Sequence, residues 1–108
     1  MTVKELAEHF EYKIICLPDE SREVKDGYAG DLLSWVMGKL EADSAWVTIM
    51  SNINIVAVAT LADPSCIILS ENVAPDEDVV AKAQQQGVNI LSSSKNTFSV
   101  CKDIASVL

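Results

Sequence analysis

Between Trp46 and Asn72 the chain passes through a β-rich apolar run, a polar pivot, a helix-length apolar stretch, a short break and a second apolar run. This stretch constrains the fold more than any other. Trp46 to Met50 (WVTIM) shows neither the polar alternation of a half-wet strand nor helical spacing, and Cys66 to Leu69 (CIIL) repeats the pattern, so both read as strands covered on both faces, as in a parallel sheet. Between them Ile55, Val56, Ala57, Val58, Ala59 and Leu61 are apolar all round the helical wheel, which predicts that Asn54–Ala62 is a buried helix. Strand, helix and parallel strand in about 25 residues make one βαβ unit.

The chain has 108 residues, enough for one domain spanning residues 1–108 that buries roughly 65% of its unfolded surface. Its apolar fraction of 49% against 22% charged residues argues against disorder. A net charge of −8 would repel a phosphate backbone, so nucleic acid is not an expected partner. Cys16, Cys66 and Cys101 are odd in number, sit among apolar residues and show no C-x-x-C spacing, and MTVKEL lacks the apolar core of a signal peptide. A cytoplasmic protein with reduced thiols is expected. Its longest apolar stretch falls well short of the roughly 20 residues that a membrane helix requires, so no membrane role is expected.

In chain order, Thr2 and Glu5 have the spacing of a capping box, and a helix should run to about Phe10. Tyr12–Leu17 reads as a strand stopped by the turn residues from Pro18, and Glu23–Tyr28 as an extended piece at a sheet edge. His9 has no ligand-spaced partner and reads as structural or surface, and no metal or cofactor is expected. Asp31 is placed to cap the helix from Leu32 to about Leu40. There Leu32, Leu33, Trp35, Val36, Met37 and Leu40 cover an apolar arc of roughly 200°, about twice what packing on one sheet face requires. Either the chain's own N-terminal helix or a second subunit must cover the surplus. A homodimer through Leu33, Trp35 and Met37 is the expectation.

Pro75, the acidic Asp76, Glu77 and Asp78, and Gly87 bound the next helix, whose apolar side is Val79, Val80 and Ala83. Val88–Leu91, extending to Ser92, should be a further strand. A last helix from Thr97 to Leu108 is predicted to turn Phe98, Cys101, Ala105 and Leu108 inward. The whole is an α/β fold, a three-layer α/β/α sandwich with a mostly parallel sheet of four or five strands centred on Trp46–Met50.

In such a sheet ligands bind beyond the carboxyl ends of the strands, where helix starts also point free amides. Three polar segments should converge there: Ser51-Asn52-Ile53-Asn54, Ser70-Glu71-Asn72 and Ser92-Ser93-Ser94. The candidate ligand-binding residues are Ser51, Asn52, Asn54, Ser70, Glu71 and Asn72, although capping alone favours the same residue types. No phosphate loop G-x-x-x-x-G-K-S/T, nucleophile elbow G-x-S-x-G or dinucleotide fingerprint is present, and no catalytic residues are assigned.

KELAEHF, REVKDGYAGDLLSWVMG, the Trp46–Asn72 stretch and GVNILSSSKNTFSV together resemble the DRTGG domain family, in particular its small stand-alone bacterial members. The resemblance implies a fold like the N-terminal domain of HPr kinase/phosphorylase and a regulatory, ligand-sensing or oligomerising role without catalysis. A small phosphorylated or nucleotide ligand, a further protein partner and a tie to anaerobic hydrogenase or energy metabolism are implied with it. The alternative is a small-molecule enzyme or phosphotransfer protein using the same loops. The family's Asp-Arg follows the central strand, where this chain has Asn52-Ile53, and its Thr-Gly-Gly follows the next, where this chain has Ser70-Glu71-Asn72.

Overall fold

The capping box forms as its spacing predicts: Thr2 accepts from the Glu5 amide at 3.1 Å, and Glu5 accepts from the Thr2 amide at 3.0 Å. In the computed structural model, which describes residues 1–108, this cap opens α1 (Val3–Phe10). There follow β1 (Lys13–Cys16), β2 (Asp26–Ala29), α2 (Leu33–Lys39), β3 (Ser44–Thr48) and α3 (Asn54–Ala62). The chain closes with β4 (Cys66–Leu69), α4 (Glu77–Gln86), β5 (Ile90–Ser92) and α5 (Thr97–Ser106). No helix is long and apolar enough to cross a membrane.

The five strands form one sheet in the order β1-β5-β4-β3-β2, parallel except for β1, which pairs antiparallel with β5. The mostly parallel three-layer architecture is the one expected, with β2 at an edge. The centre differs: β4, not β3, is the middle strand. Continuous apolar runs identify strands covered on both faces, but β3 and β4 share that property and the runs cannot rank them.

Alternate side chains of the buried strands feed two cores. Trp46, Ile67, Leu69 and Ile90 face α2, α3 and α4, while Val47, Cys66, Ile68 and Leu91 face α1 and α5. Each such aliphatic side chain contributes about 1.5–3 kcal/mol on burial. Because α1 lies on the other face of the sheet from α2, it cannot cover the surplus arc of α2.

Three helices depart from the sequence reading. α3 is not buried all round. Ile55, Val56, Val58 and Ala59 are buried, whereas Ala57 and Thr60 are exposed and Leu61 is 71% exposed, since a sheet face covers one side of a helix only. On α5 the inward residues are Val100 and Ile104, and Phe98 is 79% exposed, with Ala105 and Leu108 also outside. The Asn96 side chain accepting from the Ser99 amide fixes the helix start, and the i, i+4 pair Val100/Ile104 then faces the sheet. Cys101 is therefore half-buried at a margin, not a core residue. Asp31 does not cap α2; its Oδ1 accepts instead from the Thr48 hydroxyl at 2.8 Å and the Ile49 amide at 3.0 Å.

Candidate functional site

The parallel strands deliver the loops after Ala29, Thr48, Leu69 and Ser92 to one edge of the sheet. Because β1 runs antiparallel, with Lys13 opposite Ser92, its beginning lies at that edge too, and Phe10, Glu11 and Tyr12 come with it.

Ser70 is buried, and its hydroxyl shares a hydrogen bond with that of Thr97 at 2.7 Å, tying the end of β4 to the start of α5. Glu71 and Asn72 have φ of 61° and 58°, and the Val73 amide returns to the Ser70 carbonyl at 3.3 Å. Two positive φ values across such a closure make a type I′ turn. It aims the Glu71 amide at the Lys95 carbonyl (2.8 Å) and the Asn72 amide at the Ser93 carbonyl (2.9 Å). The loops after β4 and β5 are thereby locked together.

On the neighbouring loop Ser51 is half-buried, and the exposed Asn52 accepts from the Asn54 amide through Oδ1 at 2.9 Å. Asn54 lines a groove between α3 and α4 with Thr60, Lys82 and Gln86. The six predicted residues thus share the carboxyl edge, but no one cavity holds them all. Of these only Asn72 reaches the polar cavity there, about 340 Å³ in volume, which lies between the start of β1 and the loop after β5.

Ser92, Ser93 and Ser94 line this cavity with Asn72, opposite Phe10, Glu11, Tyr12 and Lys13, and Lys95 closes it. Lys95 Nζ donates to Asp103 at 2.7 Å, and the Tyr12 hydroxyl donates to the same Oδ2 at 2.8 Å. Burial pushes the Asp103 carboxyl up, but the hydrogen bonds from Lys95 and Tyr12 outweigh it, and the group stays charged below the usual carboxylate range. Burial, followed by the bond to Asp103, raises the Tyr12 phenol, which stays protonated. Lys13 differs: its exposed ammonium has no carboxylate within salt-bridge distance. The Asn72 and Ser94 side chains likewise have no partner within the chain. The cavity therefore offers one uncommitted cation, hydroxyls and an amide, beside the Glu11 carboxylate.

Sequence reasoning placed Ser92–Ser94 at this edge but missed Phe10, Tyr12, Lys13 and Lys95. Tyr12–Leu17 is legible as a strand; its direction, which brings Lys13 here, is not. The thiols take no part. Burial raises the buried Cys66 to about 12, and likewise pushes Cys16 and Cys101 up.

The profile of the DRTGG domain matches residues 5–107. The chain belongs to the DRTGG domain family. No curated protein matches it by sequence. Among solved structures, this DRTGG domain resembles the CBS and DRTGG domains of the regulatory region of Clostridium perfringens pyrophosphatase, crystallised with the activator diadenosine tetraphosphate. The TM-score is 0.78 at 9% identity; the match covers 99% of the present chain and 47% of the other. At that identity the likeness is one of fold.

Proposed function

We propose that this DRTGG domain is a regulatory, ligand-sensing module without catalytic activity of its own, and that its ligand is a small phosphorylated compound or nucleotide bound at the carboxyl edge of the sheet. The cavity beside Lys13 carries the proposal: an uncommitted cation among hydroxyls, in a chain of net charge −8, favours an anionic group where most of the surface repels one. The fold shared with a pyrophosphatase regulatory region crystallised with a dinucleotide activator supports the ligand class. Bound there, a ligand would join β1 and the end of α1 to the loops after β4 and β5, four segments that meet only in the folded state. Self-association belongs to the same reading, as does a setting in anaerobic energy metabolism that the family resemblance implies.

Thermal-shift titration with nucleotides, dinucleoside polyphosphates and acyl phosphates tests this, since a ligand at 100 times its Kd stabilises by about 2.7 kcal/mol. Amide shifts should concentrate at Lys13, Asn72 and Ser92–Lys95. Shifts centred instead on Ser51, Asn52 and Asn54 would move the ligand to the neighbouring loop. Shifts confined to the amino edge would rule out both. Phosphate transfer from ATP that is lost in Ser51→Ala or Ser70→Ala would establish the enzymatic alternative.

A further inference from the structure

The loop after β5 fixes Lys95 by its backbone and leaves its side chain free to turn. The Lys95 amide donates to Ser93 Oγ at 3.1 Å, and its carbonyl accepts from the Glu71 amide at 2.8 Å. The exposed side chain makes one hydrogen bond, from Nζ to Asp103 Oδ2 at 2.7 Å. Nζ also stands 5.9 Å from the ring centroid of Phe10, and Phe10 and Lys95 both line the cavity that carries Lys13. The ammonium therefore sits at the cavity wall, and rotation about its side-chain torsions, with the backbone in place, takes it off Asp103 and towards a group in the cavity.

Asp103 is placed to release it. Its Oδ2 also accepts from the Tyr12 hydroxyl at 2.8 Å, so the carboxylate keeps a donor when Lys95 leaves. Tyr12 is buried and stacked on Phe10, with ring centroids 5.5 Å apart, which holds that hydroxyl where it is. Half-buried Asp103 also feels the favourable charge of Lys102. Lys95 is a compact point charge and goes to the anion that attracts it more strongly. A carboxylate carries one negative charge, whereas a phosphomonoester carries about 1.5 to 2 at neutral pH. A singly charged group gains no more from Lys95 than Asp103 does and leaves the pair intact; a dianion gains more and takes the lysine.

We infer that Lys95 is a second cation of the ligand site, withheld by Asp103 and surrendered only to a dianionic group, so that the cavity selects compounds with a terminal phosphate over those whose phosphates are all esterified twice. This rests on the anion-binding reading of the same cavity, with Lys13 as the cation that either kind of anion meets. Glu11, the other carboxylate on the cavity wall, repels a dianion more than a monoanion, so a preference for the dianion has to come from the lysines.

Phenyl phosphate and methyl phenyl phosphate differ by one methyl group and, at about pH 8, by one charge; titrating each into the chain and following the amide shifts of Lys13 and Ser92–Lys95 tests the inference. Lys95→Met should weaken phenyl phosphate about tenfold and leave methyl phenyl phosphate unchanged. Asp103→Asn keeps an acceptor for Tyr12 and should tighten phenyl phosphate about threefold or more. In the Lys95→Met background the same change should bring no gain, whereas simple removal of a repulsive charge would act in both backgrounds. Circular dichroism and thermal melts check that each variant is folded, and because Lys95 is exposed, Lys95→Met alone decides the matter where Asp103→Asn loosens α5. Phenyl phosphate indifferent to Lys95→Met, equal losses for the two probes, or a gain from Asp103→Asn that persists in the Lys95→Met background would overturn the inference. Any of these results with Lys13→Ala still abolishing phosphate binding would leave the anion site standing; a cavity unmoved by both probes would overturn the two together.

Discussion

The two ends of the sheet are built differently. At the amino edge, side chains distant in sequence cross-link the loops. Arg22 donates through Nη1 to Asp63 Oδ1 (2.7 Å), through Nη2 to the Asp63 carbonyl (2.8 Å), and through Nη2 and Nε to Asp43 Oδ1 (3.0 and 3.2 Å). Buried Asn89 donates to the carbonyls of Asp19 (2.7 Å) and Ser65 (2.9 Å) and accepts from the Asp19 amide at 2.9 Å. The Ser65 hydroxyl donates to the Glu23 carbonyl. At the carboxyl edge side chains also link the loops, Asp31 to Thr48 and Ile49, Ser70 to Thr97 and Tyr12 to Asp103, but the turn at Glu71-Asn72 is locked through backbone groups and the side chains of Lys13, Asn72 and Ser94 are left uncommitted. One end commits its polar side chains to holding the fold; the other leaves several of them without a partner.

Substitution at the amino edge should therefore cost the most. Arg22→Ala removes four hydrogen bonds to charged or carbonyl oxygens from a half-buried guanidinium, and a loss of about 2–3 kcal/mol is expected in denaturant unfolding. A loss below about 0.5 kcal/mol would erase the contrast between the edges. The same variant carries a pH signature. The Arg22 hydrogen bond holds the Asp43 carboxyl below its ordinary value, so the stability it brings is complete above the unfolded aspartate pKa and is lost as the pH falls below about 4. Arg22→Ala should flatten that acid limb, which melts between neutral pH and about pH 3 would reveal.

Asn89→Ala comes next. It strands two carbonyls and one amide at a site 2% exposed, for an expected cost of about 2 kcal/mol, whereas Asn52→Ala at the other edge loses one exposed local bond and should cost about 0.5 kcal/mol. Equal effects from the pair, measured by chemical denaturation, would show that both edges serve stability alike.

The same difference explains what could be read from the sequence. Local chemistry was legible: the Thr2/Glu5 capping box and Gly87 at the end of α4 each act where their spacing places them. Long-range pairing was not. Nothing in the local pattern marks Arg22 as the partner of Asp43 and Asp63, or Asn89 as that of Asp19. The cavity was half legible, because Ser92–Ser94 follow a parallel strand whereas Lys13 arrives only through the antiparallel placement of β1. Asp31 misled for a related reason. It has the residue type of a helix cap, yet the helix starts one residue later with Leu32 at the cap, and the Thr48 hydroxyl and Ile49 amide, brought close by β3, capture the Asp31 carboxylate. The turn at Glu71-Asn72 escaped because glutamate is a poor marker of positive φ.

That turn supplies the smallest effect and the sharpest test of the contrast. Glu71 and Asn72 hold left-handed backbone conformations in which a side chain other than glycine's is disfavoured, glutamate more so than asparagine. Glycine at either position relieves the strain but adds freedom to the unfolded chain, so the net gain should be about 0.5–1 kcal/mol for Glu71→Gly and close to zero for Asn72→Gly. Binding should separate the two. The Glu71 side chain does not line the cavity, and Glu71→Gly should leave ligand affinity unchanged; the Asn72 amide does, and its removal should weaken binding by about 1 kcal/mol, roughly fivefold, without loss of stability. Calorimetric titration beside thermal melts reads both quantities. A fall in stability for Asn72→Gly would mean that its side chain holds the loops together, and the carboxyl edge would then be built on the same terms as the amino edge.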